Sequence, residues 1–196
     1  MKLIQYNKIA LQQYQKALQI RLAALPVIRS KESALRTEVK LQQQQAQALA
    51  ALLHEKMAAA EALGGLWQHW QADLLRLKSI QTETHNFAGV KLQRYVGVEL
   101  AACGLQAGVH PAWQFDAWLL LRELLVVQVQ SRLKATELQL LEAERKRTTQ
   151  KLNLFEKVQI PHYEEAIRKI KRFLEDEETL IKATQKIVKK KKEAAA

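Results

Sequence analysis

Apolar residues recur along the first part of this chain in steps of seven. Starting at Ile4 the series runs Leu11, Leu18, Leu25, Glu32, Val39, Ala46, Leu53, Ala60, Trp67 and Leu74. A companion series runs Asn7, Tyr14, Arg21, Ile28, Leu35, Gln42, Leu49, Lys56, Leu63, Trp70 and Leu77. A seam kept in strict heptads predicts a left-handed coiled coil, because a straight helix of 3.6 residues per turn would drift off it. The pattern predicts one helix over residues 1–81, with Pro26 kinking it. A second seam occupies the far half. Leu138, Leu141, Arg145, Thr148, Leu152 and Phe155 keep a 3,4 spacing, and after Pro161 the series restarts as Tyr163, Ile167, Ile170, Leu174, Ile181 and Val188. The phase slips near the proline, where a kink or stutter belongs. This predicts a helix over residues 112–192 and a tail over 193–196.

Between the seams the pattern changes. Gly89, Gly97, Gly104 and Gly108 fall between Phe87 and Pro111, so helix must stop there. Val90, Tyr95, Val96 and Val98 favour strand, and Gly97 suits a bulge or turn. Residues 82–111 therefore read as a small Gly-rich tip, for which a short β-hairpin and a loop both fit. Each helix has one apolar stripe and needs a partner to be stable in water at this length. The expected fold is all-α: a long antiparallel two-helix coiled coil, a rod with both ends of the chain together and the tip at the other end.

Composition adds to this picture. Ala, Leu, Gln, Lys, Arg and Glu dominate, with six Gly and three Pro in 196 residues, which favours long helices. The formal charge of +11 implies an acidic or polyanionic partner. Basic residues outnumber acidic ones through residue 60, and the tail carries Lys189, Lys190, Lys191 and Lys192. In the hairpin rod these charges meet at one end, as a solubilising tail or as a surface for an acidic cavity or phosphates. Nucleic acid is not the expected partner, because the basic residues are not interleaved with stacking aromatics. No signal peptide and no membrane span is expected, since the most apolar stretch, 118–129, is broken by Arg122, Glu123 and Gln128. The single Cys103 fits a reducing compartment, and a packed thiol is the simpler reading than a nucleophile.

Candidate chemistry is sparse. His54, His69, His85, His110 and His162 are scattered without metal-ligand spacing, and no phosphate-binding glycine loop exists. The acidic run Glu175–Glu178 reads as a solvated helix face. Trp67 and Trp70 fall on the seam series and are expected to pack inside the coiled coil, the alternative being an exposed partner anchor. The expectation is a chain without catalytic, metal or cofactor-binding residues of its own.

Three segments carry a resemblance. The stretch 149–170 is similar to the C-terminal signature of the D subunit of V/A-type ATPases: Asn153, Val158, Ile160 and Pro161 match, and Ile167 and Ile170 continue the pattern. Leu152 stands where Val is usual, and Glu156 falls one place late. The stretch Asn86–Leu92 resembles that family's Gly-Val strand, and Pro111, Ala112 and Trp113 resemble the Pro-Ala-Trp that reopens its second helix. Departures are Pro26, the run Gln42–Gln45 and the apolar stretch Val98–Val109, as in a divergent bacterial branch. The resemblance implies a non-catalytic central rotor shaft in an ion-translocating motor at the cytoplasmic face of the inner membrane. The partners it implies are the catalytic A and B subunits, the F subunit and a socket subunit of the C/d type above the membrane ring. Contact with them is expected through Lys189–Lys192 and through Val90, Leu92 and Trp113. Alternatives are the γ shaft of F-type synthases, the coiled-coil stalk of an export ATPase, and a basic coiled-coil rod binding nucleic acid or protein. A γ shaft needs a larger central domain than about thirty residues can form, and the export stalk lacks the Ile-Pro signature.

Overall fold

The computed structural model describes residues 5–101 and 104–194; Ile4, Cys103 and the side chain of Lys192 lie outside the described residues. The elements are helix α1 (Lys8–Glu61), strands β1 (Leu77–Phe87) and β2 (Val90–Leu100), helix α2 (Ala112–Leu154), a π turn (Phe155–Gln159) and helix α3 (Ile160–Ala194). The chain is mostly helical, with one small two-stranded antiparallel sheet. It divides into two compact units, Met1–Glu32 with Arg147–Ala196, and Ser33–Lys146.

The first unit holds the start of α1 and all of α3. Asn7 caps α1, its Oδ1 accepting the Ala10 N–H at 2.6 Å, which satisfies one of the orphan donors of the first turn. Pro26 sits inside α1 without ending it; its missing N–H leaves the Leu22 carbonyl without the usual donor. The contacts with the later helices run antiparallel. Tyr6 lies on Phe173 and Tyr14 on Tyr163, with ring centroids 5.2 and 5.6 Å apart. Further along α1, Arg21 donates to Gln159, Arg29 pairs with Glu156, and Glu32 accepts from the Thr149 hydroxyl at 3.2 Å. Ala10, Ala166 and Ile170 are buried between them.

The π turn falls where the sequence shows its phase slip. The Ile160 N–H bonds the Phe155 carbonyl, five residues back. Pro161, next in line, has no N–H and would drive its ring against the carbonyl of Lys157 in a regular helix; the wider turn relieves that clash.

The second unit has three walls. Its helices again run antiparallel: Gln43 donates to Glu142 at 2.9 Å and Lys56 pairs with Glu123 at 2.5 Å. Lys134 donates to Gln42 at 2.7 Å and to the buried Glu137 at 2.9 Å. The third wall is the hairpin. Ala88 (φ 51°) and Gly89 (φ 86°) form its two-residue turn, both with the positive φ of a type I′ turn. His85 pairs with Leu92 and Phe87 with Val90, so these side chains share one face. That face completes a core of Leu35, Val39, Leu92 and Leu141, flanked by Phe87, Val90 and Leu138. Between the Gln81–Gly97 and Thr82–Tyr95 pairs, Val96 bulges out, so Gly97 does adjoin a bulge.

Three expectations are corrected. The first helix ends at Glu61 and not at residue 81, because Gly64 takes φ 51° just beyond it, a helix-ending conformation that costs glycine nothing. Trp67 and Trp70 are consequently not seam residues. They belong to a short 3-10 turn (Gly64–His69) and its end, pack edge-to-face at 5.9 Å, and Trp67 Nε1 donates to the Ala60 carbonyl at 2.7 Å. Residues 77–81 are strand, so the hairpin is longer than a tip starting at residue 82 allows. The segment leading into β1 is tied to α2 instead: Trp118 Nε1 donates to the Leu74 carbonyl at 3.1 Å and Gln114 to that of His69 at 3.3 Å.

Candidate functional site

Three surfaces bear on function, and each is built by a local cause in the sequence. The first is the far end of α3. Tyr6 meets Phe173, and Ala166 and Ile170 are the last fully covered residues of this helix. From Glu175 to Lys191 every side chain is exposed. Leu180, Ile181, Ile187 and Val188 lie there on one strip, and Glu177, Thr184, Gln185 and Lys189 share an open groove with Leu180, Ile181 and Val188. Lys189, Lys190 and Lys191 follow on the same helix, exposed, with Lys189 3.9 Å from Glu193. Ion pairs one turn apart recur along α3. Lys169 holds the Glu165 carboxyl below its usual range, chiefly through a hydrogen bond and then through its charge, and Lys182 does the same to Glu178.

The second surface is the hairpin and the restart of α2. Val90 is half-buried beside the core, and Trp113 is half-buried in the first turn of α2. Leu92 is not available to a partner: at 1 % exposure it belongs to the core. The period-2 alternation of β2 marks its face correctly, but the covering surface is this chain's own helices. The outward apolar residues of the hairpin are Leu77, Ile80 and Val96. Lys78 pairs with Glu99 at 2.6 Å, and that hydrogen bond, joined by one from Ser79, draws the Glu99 carboxyl below its usual range.

The third is the signature segment. Asn153 lies in the last turn of α2, Val158 is exposed in the π turn, and Ile160 and Pro161 open α3. Arg21 of α1 binds this segment from across the helix pair. Its Nε donates to Gln159 at 2.6 Å, and its guanidinium lies 4.4 Å from the Tyr163 ring centroid and 6.0 Å from that of Phe155. Arg21 stands in the companion seam series of α1, and the signal for its role is an arginine placed antiparallel to two aromatic residues, Phe155 and Tyr163. The hairpin residues and the lysine tail belong to different compact units.

Among the described residues there is no cluster of three or more His, Cys, Asp or Glu side chains placed to hold a metal ion, and no helix long and apolar enough to cross a membrane. The three surfaces are an open apolar strip between an acidic and a basic block, a braced strand pair, and a π turn held by Arg21.

Comparison with known proteins gives these features a frame. Residues 10–190 match the family described as the D subunit of ATP synthase. The D subunit of a V-type ATP synthase from Borreliella burgdorferi is 28 % identical over 115 residues, covering 59 % of this chain and 57 % of that relative.

Proposed function

The chain belongs to the family of ATP synthase D subunits, and from that premise we propose that it is the central rotor shaft of a V/A-type rotary ATPase. It carries torque between a catalytic ring of A and B subunits and the ion-translocating ring in the membrane, and it performs no catalysis itself. Its place is the cytoplasmic face of the inner membrane, reached through the complex. In this reading α1 packs on α2 and α3 as an antiparallel coiled coil. The uncovered end of α3 enters the catalytic ring, and the hairpin with the start of α2 meets the F subunit and the socket subunit.

The observation that carries the reading is a family match running through both helical halves and the hairpin between them. The geometry supports it in two ways. Antiparallel contacts recur along both units, stiffening the helices against bending. The strip on α3 is left apolar and open, a surface that calls for a protein cover. The lysines beside it suit an acidic lining through long-range attraction, which guides assembly without locking it. Neutralising Lys189–Lys191 should then weaken assembly and flatten its dependence on salt.

The direct test is reconstitution with the A and B subunits of the same organism, read by size-exclusion and ATPase rate. One copy should enter each hexamer and change its rate, and truncation after Glu175 should abolish both effects. No assembly at low salt, with the F subunit also present, overturns the reading and favours an export-type stalk or a binding rod.

A further inference from the structure

The end of α3 carries an acidic block, Glu175–Glu178, that the shaft reading leaves unused. Leu180 (68 % exposed), Ile181 (51 %), Ile187 (56 %) and Val188 (47 %) form one apolar strip. On its N-terminal side stand Glu175, Asp176, Glu177 and Glu178; on its C-terminal side stand Lys189, Lys190 and Lys191. The strip is thus bracketed by opposite charges, and Thr184 lies at its middle.

We propose that this strip is a self-association surface, through which two free copies of the chain pair antiparallel about a two-fold axis beside Thr184. Antiparallel pairing sets Leu180 of one copy opposite Val188 of the other, and Ile181 opposite Ile187. Glu177 then meets Lys191, and on the flank Asp176 meets Lys190. Each copy offers the same patch in both roles, as a two-fold interface requires. A parallel pair would place acid on acid and lysine on lysine, so the charges select the orientation as well as the partner. There is also a conformational gain. A lone helical extension of this length is marginal in water, and a second helix on its apolar face stabilises it while burying the strip.

This pairing does not rest on the shaft reading, but it has a consequence for it. Inside a catalytic ring the same strip would be covered by other subunits, so dimer and assembly compete for one surface. The free chain is then a reservoir that dissociates as assembly proceeds.

Cross-linking tests the geometry in the full-length chain. In a Cys103→Ser background, Thr184→Cys should oxidise readily to a disulfide-linked dimer, because the residue faces its own copy near the axis. Lys171→Cys, on the same helix outside the strip, should not. Glu177→Cys and Lys191→Cys should each stay monomeric alone and cross-link when mixed. Sedimentation equilibrium of the unaltered chain should give a mass about twice 22.5 kDa at high protein concentration. Replacing Leu180 and Val188 by Gln should raise the dissociation constant at least about tenfold. Reversing Lys190 and Lys191 to Glu should weaken the dimer, and adding Asp176→Lys and Glu177→Lys should restore it. That rescue separates lost pairing from lost folding. A monomer at every concentration, self-cross-linking of Glu177→Cys, or equal cross-linking at Lys171→Cys would each overturn the proposal. All three leave the reconstitution test of the shaft untouched.

Discussion

Ser33–Lys146 and the unit formed by Met1–Glu32 with Arg147–Ala196 use the same kind of element, a pair of antiparallel helices, yet they are held by different means. In the former a hairpin lies against both helices, and Leu35, Leu92 and Leu141 are buried at 0–1 % exposure. In the latter no sheet is present among the described residues. Its buried residues are Ala10, Glu32, Thr148, Ala166 and Ile170, and aromatic rings and Arg21 bridge the helices at their flanks. The difference teaches what two helices can do unaided. They touch along a line, and a line yields stitches; a third wall is needed to enclose a volume.

The sharpest way to break this comparison is in the enclosed volume. Leu92→Ala or Leu141→Ala should cost about 2–5 kcal/mol, because a buried leucine leaves a cavity that its neighbours fill only in part. Denaturant unfolding would show the loss, and hydrogen exchange should rise first in the hairpin amides. A next, smaller effect is expected at the stitches. Arg21→Ala should cost roughly 1–3 kcal/mol from the ring contacts and the Gln159 bond. Exchange should then rise over residues 155–163 and leave the hairpin protected. Arg21→Lys should recover little, since an ammonium lacks the planar guanidinium.

Ala88 sharpens the comparison in the opposite direction. It holds a positive φ that costs a non-glycine residue about 1–2 kcal/mol. Ala88→Asn makes the turn Asn-Gly and should stabilise the hairpin by about 0.5–1 kcal/mol, seen as a higher melting temperature.

Smallest of all are the surface ion pairs, which both units possess. Lys56 draws the Glu123 carboxyl below the usual 4.5, and Lys169 and Lys182 do so to Glu165 and Glu178. A carboxylate lowered on folding contributes stability above its unfolded value, and that contribution is lost as pH falls through the folded one. Lys56 and Lys169 are raised above 10.5, so their share is present below that value and lost as pH rises through the folded one. Acid titration of Glu123→Gln should therefore show a slightly flatter loss of stability below pH 4.5 than the unaltered chain, and salt should shrink the difference. A steep change would mean that these exposed pairs matter more than their solvation allows.

Much of this molecule can be read from its residues, for reasons that differ by region. The heptads of α1 are legible because a helix paired along one face must repeat its apolar positions. Beyond Glu61 the same spacing continues through Leu63, Trp67, Trp70, Leu74 and Leu77 by coincidence, and Gly64 with Gly65 was the stronger signal. Ile80, Thr82 and Thr84 alternate as β-branched residues and could have announced β1. The stripe of α3 was visible in Ile181 and Val188, but not that α1 leaves it bare, since coverage depends on where the partner helix begins. Leu92 shows the same limit: a strand's alternation names the face that will be buried, and says nothing of whether the burial is against its own chain or another.

The π turn has a consequence for how such a chain tolerates change in length. A helix resembles a reading frame, since dropping one residue turns every later side chain by about 100° and scrambles all pairing downstream. Phe155–Gln159 already carries one residue more than a regular turn needs. Losing a residue there should tighten the turn and leave Tyr163 facing Tyr14 and Phe173 facing Tyr6, whereas the same loss at Arg168 should separate Tyr6 from Phe173. The segment is a place where the count of residues is free to vary while the direction of everything after it is kept.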